Sequence, residues 1–391
     1  MFFRELKFKI HVILKGNRMD TYNSKKDYLE NQLITYLGNK RKLLGNIEKC
    51  VQNICKELGK DRLSILEPFC GSGSVSRMLK LYSDKLVVND LEDYCATLAK
   101  CYLASPTGEQ YAKIKKTVEL MNRHKFSKAA PSFVRQHYAP KEDKAIQEGE
   151  RVYYTQYNAH IIDTLAHHIN HLPASERCFY LAPLLTQCSV HTNTSGTFNS
   201  YHKKDGVGHF GGRGENALTR IMGEIELPVP VFSYQPDTIV EVYNKDANRL
   251  VEELVEKGEW FDLAYLDPPY NKHPYGTNYF MLNIINRWDP GMDIPDNHRG
   301  QPDDWTRSKY NSFSECKRVF EELIKNIPAS YVVISYNNEG ILSEEQLTEI
   351  LERYGTFSKQ EIVYPTYKGC KNLSSRNKDV LEYIWILEKK I

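Results

Sequence analysis

The sequence offers no way to pair its cysteines. Nine of them, at positions 50, 55, 70, 95, 101, 178, 188, 316 and 370, form an odd, scattered set without a C-x-x-C pair. Neither a zinc site nor a disulfide framework is suggested, and a reducing cytoplasm fits best. Long hydrophobic runs are missing too: from Met1 to Ile10 charges interrupt every apolar stretch before it reaches the length of a signal core or a membrane span. The chain therefore reads as a soluble, unexported protein. Residues 1–19, which end at a second methionine, Met19, are set aside as an N-terminal extension. Net charge of either sign is lacking as well: 52 Lys and Arg face 50 Asp and Glu. Composition alone thus points to no polyanionic partner, and any such surface must come from local clustering. His160, His167, His168 and His171 share one expected helix, but no Glu follows His167 and the face is mixed. Structural or solvated roles are assigned to them, and no metal is expected.

With 391 residues, 41% of them hydrophobic, the chain exceeds what one compact domain needs. Apolar residues at helical spacing over 40–58 precede a short apolar strand at 64–69, a glycine turn, a helix at 74–81, a strand at 86–90 and a helix at 92–104. This is the rhythm of a parallel α/β sheet. From 106 to 236 it breaks into charged helices, at 110–124 and 152–171, and a polar tract at 192–214. A tract of that length without periodicity is disordered or functional. The rhythm then resumes with strands at 239–243, 263–267, 331–335 and 380–387 and helices at 246–256, 314–326 and 344–354. The reading is a catalytic domain at 20–105 and 237–391, interrupted by an inserted, mostly helical domain at 106–236.

Asp267-Pro-Pro-Tyr270 follows an apolar strand directly, and in open α/β sheets ligands bind at the carboxyl ends of strands. Two consecutive prolines fix the backbone and remove two N–H donors. What remains is a carboxylate, outward carbonyls and an aromatic ring, suited to a planar NH2 group on a heterocycle that Tyr270 stacks against. In Glu67-Pro-Phe-Cys-Gly-Ser-Gly73 the glycines let the chain approach a cofactor and turn into a helix. Asp90 closes the next strand, where a carboxylate accepts from ribose hydroxyls. Together these suggest a nucleoside cofactor.

These strings resemble the alpha group of DNA adenine-N6 methyltransferases, the group containing the Dam enzymes. Ile34-Thr-Tyr-Leu-Gly-Asn-Lys-Arg-Lys-Leu-Leu44 is similar to that group's N-terminal cofactor motif, with Tyr36 where many members have Trp and Asn39 where many have Gly. Glu67-Pro-Phe-Cys-Gly-Ser-Gly-Ser74 resembles its F-x-G-x-G motif, Asn89-Asp90 its ribose-binding strand end and Asp267-Pro-Pro-Tyr270 its catalytic motif, in the group's own order. Tyr243-Asn-Lys-Asp-Ala247 occupies the place of the cofactor-adenine site, Asn193-Thr-Ser-Gly-Thr-Phe-Asn199 is similar to a loop held against DNA, and His273-Pro-Tyr-Gly-Thr-Asn-Tyr279 resembles a segment common in restriction-modification members.

The resemblance implies a Rossmann-like methyltransferase sheet, S-adenosylmethionine as cofactor and duplex DNA as partner. A cognate restriction endonuclease and a monomeric enzyme are further expectations. It implies catalytic roles for Asp267, Pro268, Pro269 and Tyr270. Cofactor binding is assigned to Tyr36, Gly38, Lys40, Glu67, Pro68, Phe69, Gly71, Gly73, Asp90, Asp246, Ala247 and Asp267. DNA binding is assigned to Asn193, Ser195, Gly196, Phe198, Asn199, Lys203, Lys204, Arg213 and Tyr279. Arg135, Arg151 and Arg220 add positive charge for phosphates, and residues 367–378 are a further phosphate-contact candidate. The N4 amine of cytosine, or adenine in RNA, presents a similar planar NH2. Asp rather than Ser at 267 argues against cytosine, and the inserted domain argues against RNA. A binding module without catalysis is the reading from a different class, and the intact Asp267, Tyr270, Gly71 and Gly73 argue against it.

Overall fold

A computed structural model describes residues 23–127, 130–233, 237–365 and 379–390. The expected extension at 1–19 and the candidate phosphate segment at 367–378 lie outside them. The first βα unit forms as its patterning requires. β1 (Leu63–Glu67) runs into the helix Ser74–Lys80, then into β2 (Ser83–Asn89) and the helix Asp93–Tyr102. Between that helix and the next strand of the sheet a short hairpin pairs β3 (Lys203–Lys204) with β4 (Val207–Gly208). The chain returns to the sheet through β5 (Ile239–Tyr243), β6 (Phe261–Leu266), β7 (Ala329–Asn337), β8 (Gly355–Pro365) and β9 (Asp379–Lys389).

The seven-stranded sheet has the order β5-β2-β1-β6-β7-β9-β8. β1 pairs in parallel with β2 on one side and β6 on the other, and only β9 runs against its neighbours. The parallel strands are nearly continuous apolar runs because both faces are covered. Alternate residues go to opposite faces. Ile65, Leu86, Leu263 and Tyr265 join one buried cluster, and Leu66, Val87, Ala264 and Leu266 join the other.

The second cluster is closed by the helices Ala247–Glu256, Cys316–Asn326 and Glu344–Tyr354. The first includes residues of the helix Leu44–Leu58 and runs without a break into residues 106–236, through Ile161, Ile162, Leu184 and Leu185. The helix Cys178–Val190 packs on Asp93–Tyr102 and on Phe280–Arg287. It escapes a periodicity search because it is apolar around its circumference and holds Pro183.

Strand order decides where a ligand binds. The chain leaves β1 toward β2 and later comes back to β6 on β1's other side, a topological switch point. The ends of β1 and β6 carry Glu67 and, one residue beyond, Asp267. Two motifs 200 positions apart in the chain thus become neighbours.

Candidate active site

At the switch point lies an open pocket of about 830 Å3. Its wall includes Tyr36, Gly38, Lys40, Glu67, Phe69, Gly71, Asp90, Asp246, Ala247 and Asp267. The glycine turn is stapled to the end of β2: Asp90 accepts from the Gly71 N–H at 2.8 Å and the Glu92 N–H at 2.9 Å. Burial still pushes the Asp90 carboxyl above the ordinary range, against those backbone donors. Gly71 has φ +49°, and a Cβ there would come within 3.1 Å of the Tyr36 ring. Glu67 is fully buried, and burial pushes its carboxyl up to about 8. Its Oε2 has no hydrogen-bond partner among the described residues. On the far wall Asp246 caps the helix Ala247–Glu256, its Oδ1 accepting from the Asn248 N–H at 3.0 Å.

Asp267-Pro-Pro-Tyr270 begins at the pocket wall. Lys40 is 2% exposed and places its ammonium 3.0 Å from Asp267 and 5.0 Å above the centre of the Tyr270 ring. Burial works against the Lys40 charge, but Asp267, Tyr270 and Glu382 together hold its pKa above the usual lysine range. Burial also pushes the Asp267 carboxyl up to about 6, with Lys40 pulling it back. The Tyr270 carbonyl accepts from the Ile341 N–H at 2.9 Å, and its ring meets Tyr336 edge-on at 5.7 Å. Behind it the polar tract docks: the Phe198 N–H donates to the Asn278 carbonyl at 2.7 Å, and the Asn199 amide to Asn278 Oδ1 at 2.5 Å.

Several residues assigned to DNA turn inward instead. Tyr279 is 1% exposed, its hydroxyl accepting from the Leu37 N–H at 2.7 Å. Phe198 is 2% exposed within the core, and buried Asn193 donates to the carbonyls of Val152 and His209. Arg220 is spent on the carbonyls of Val190, Thr192 and Thr194. Arg151 is likewise spent on those of His137, Pro295 and Asn297. Tyr279, Phe198 and Asn193 are buried, while Arg151 and Arg220 are part-exposed with their guanidinium groups committed to carbonyls. Ser195, Lys203 and Lys204 stay exposed, with Gly196 and Asn199 partly so, while the Arg213 side chain lies outside the described residues.

Other lining residues escaped the sequence reading. Glu92, Thr306, Ser308, Tyr310 and Asn311 all face the pocket. The last four belong to the approach to, or the turn of, a single 3-10 helix, Lys309–Asn311, too short to show a period. The hairpin had a readable signal, since Asp205 and Gly206 both take positive φ, as a two-residue I′ turn requires.

A glycine turn, an acidic strand end and a proline-braced carboxylate meet at the switch point of a seven-stranded sheet with one reversed strand. Together they define a Rossmann-like methyltransferase. The model of the D12 class N6 adenine-specific DNA methyltransferase family matches residues 36–350, and the chain belongs to that family. Type II methyltransferase M.NlaIII of Neisseria lactamica is 29% identical over 364 residues, covering 91% of this chain and 99% of its own. Type II methyltransferase M.CviAII of Paramecium bursaria Chlorella virus 1 is 29% identical over 359 residues, covering 90% and 98%. Type II methyltransferase M.FokI of Planomicrobium okeanokoites is 26% identical over 371 residues, covering 91% of this chain and 53% of its own.

Proposed function

We propose that this enzyme methylates the N6 amine of an adenine extruded from duplex DNA, with S-adenosylmethionine as donor, as the modification arm of a type II restriction-modification system. One observation carries the chemistry: Asp267 and the Gly71 turn line the same pocket. The type II names of the relatives support the biological setting. A cognate endonuclease, a monomeric enzyme and action in the cytoplasm belong to the same reading. Among the described residues no helix is long and apolar enough to cross a membrane.

The pocket suits the donor. Gly71 and Gly73 permit close approach, Asp90 accepts from ribose hydroxyls, and Asp246, Ala247 and Phe69 hold the adenine. Tyr36, Gly38, Lys40 and Pro68 complete the wall, while the unpartnered Glu67 oxygen suits the ammonium of the donor's amino-acid tail. The donor supplies a methyl group already activated on a sulfonium, so no covalent enzyme intermediate is required.

The chain's own residues handle the base. Extrusion costs a few kcal/mol, partly offset by stacking on Tyr270. Asp267 and the Pro268 carbonyl accept the two N6 hydrogens, while Pro269 keeps the turn rigid. Electron density then concentrates on nitrogen, and the positive charge that develops there meets preorganised oxygens. A carboxyl raised toward 6 is more basic than an exposed aspartate and better able to take the departing proton. Residues 106–236 present DNA to residues 20–105 and 237–391. Ser195, Gly196 and Asn199 lie nearest the base, and Lys203, Lys204 and Arg213 meet phosphates.

Asp267→Ala is expected to abolish methyl transfer from tritiated donor to plasmid DNA while calorimetry still records donor binding. Asp90→Ala is expected to weaken that binding without loss of fold. Full activity in Asp267→Ala would overturn the reading.

A further inference from the structure

β9 brings a third charged group to Lys40, behind the pocket wall. Glu382, paired with Asn337 across the β7–β9 ladder, is buried, and its Oε2 lies 3.7 Å from the same Lys40 ammonium that stands 3.0 Å from Asp267 Oδ1. Neither carboxylate oxygen has a hydrogen-bond partner among the described residues. Lys40 is therefore the charge that compensates both. A buried acid so poorly satisfied is costly, and a neutral residue in its place would suit the sheet better.

The arrangement has a chemical use. A lysine paired one-to-one with Asp267 would bind the oxygen that must accept a substrate hydrogen. Shared between two carboxylates, one positive charge against two negative ones leaves the trio with a net charge of −1, and attraction to Glu382 weakens the grip on Asp267. The pocket then keeps negative charge where positive charge develops.

We propose that Glu382 is a positioning residue that competes with Asp267 for the Lys40 ammonium, leaving the Asp267 carboxylate available to the substrate amine. The proposal rests on the methyl-transfer reading above and concerns only how its acceptor is kept ready.

Glu382→Gln keeps the shape and removes the charge. With the full chain, donor and plasmid DNA, kcat is expected to fall about 10-fold or more, with KM for both substrates within about twofold. The acidic limb of kcat is expected to move to lower pH, because Glu382 no longer opposes loss of the Asp267 proton. Glu382→Asp keeps the charge and draws it back, and is expected to fall between wild type and Glu382→Gln in both measures. A wild-type kcat and pH limb in Glu382→Gln overturns the proposal, as does an equal loss in both variants with no movement of the limb. Should Glu382→Gln fail to bind donor, Glu382→Asp decides alone: a displaced limb supports the proposal and an unmoved one overturns it. In each case an inactive Asp267→Ala leaves the methyl-transfer reading standing.

Discussion

Tyr36 stacks on Tyr275 with ring centroids 4.8 Å apart and planes 9° from parallel. Tyr279 joins them at 4.9 Å from Tyr36, so the N-terminal motif and the segment after Asp267-Pro-Pro-Tyr270 share one aromatic cluster. Tyr36→Ala is expected to cost about 3 kcal/mol of stability, as loss of a buried ring does. It should also weaken donor binding, because Gly71 rests against that ring. Tyr36→Phe removes only a long contact to Cys95 Sγ and should behave nearly as wild type in thermal melts and calorimetry.

Gly38 has φ +70°, and a Cβ there would stand 2.6 Å from the Tyr270 hydroxyl. Gly38→Ala should therefore displace the Tyr270 ring and, on the proposed role of that ring, lower kcat about 10-fold or more. Gly59, at φ +63°, has nothing within 4 Å of a built Cβ. Gly59→Ala should cost about 1 kcal/mol of backbone strain and leave kcat unchanged. Single-turnover rates beside denaturant unfolding of both variants separate the two effects.

Two carboxyls set different pH responses. In the proposed mechanism Asp267 acts ionised, so with its carboxyl near 6, kcat should fall as pH drops through about 6. Glu67 acts on stability. Its folded form holds a proton up to about 8, whereas an unfolded Glu loses it near 4.3. In that window the native state binds more protons, so its contribution is fully present below about 4.3 and is lost as pH rises toward 8. Glu67→Gln should flatten the pH dependence of melting measured without donor. An unchanged slope would reject the assignment.

The basic residues of the insertion divide by what they touch. Lys203→Ala with Lys204→Ala should weaken binding to DNA of any sequence and reduce the salt slope of log K by roughly two, with donor affinity unchanged. Arg220→Ala should instead destabilise the fold, since three carbonyls lose their donor. A salt titration by fluorescence anisotropy, paired with melting curves, tests both.

Much of the catalytic half was legible because its signals are local. The helix Ala247–Glu256 begins at an Asp cap and ends within a residue of its expected span. β6 ends where Asp267-Pro-Pro interrupts it. β8 was not marked: its Gly-Thr-Phe-Ser-Lys-Gln-Glu start carries little apolar alternation, and it forms as an edge strand pairing only with β9. In residues 106–236 the sequence assigns Arg151 and Arg220 to phosphates, yet both clamp carbonyls, since a side chain's partners cannot be read from its own neighbours in the chain.

The sequence by itself determined the βα rhythm, the glycine turn and the proline-braced acid. Period, φ preference and missing N–H groups are properties of short stretches of chain. Only the tertiary structure decided that Glu67, Asp90 and Asp267 face one pocket, that Tyr279 and Phe198 are buried, and that Glu382 reaches Lys40. Those outcomes follow from strand order and side-chain burial, which depend on contacts between segments far apart in the chain.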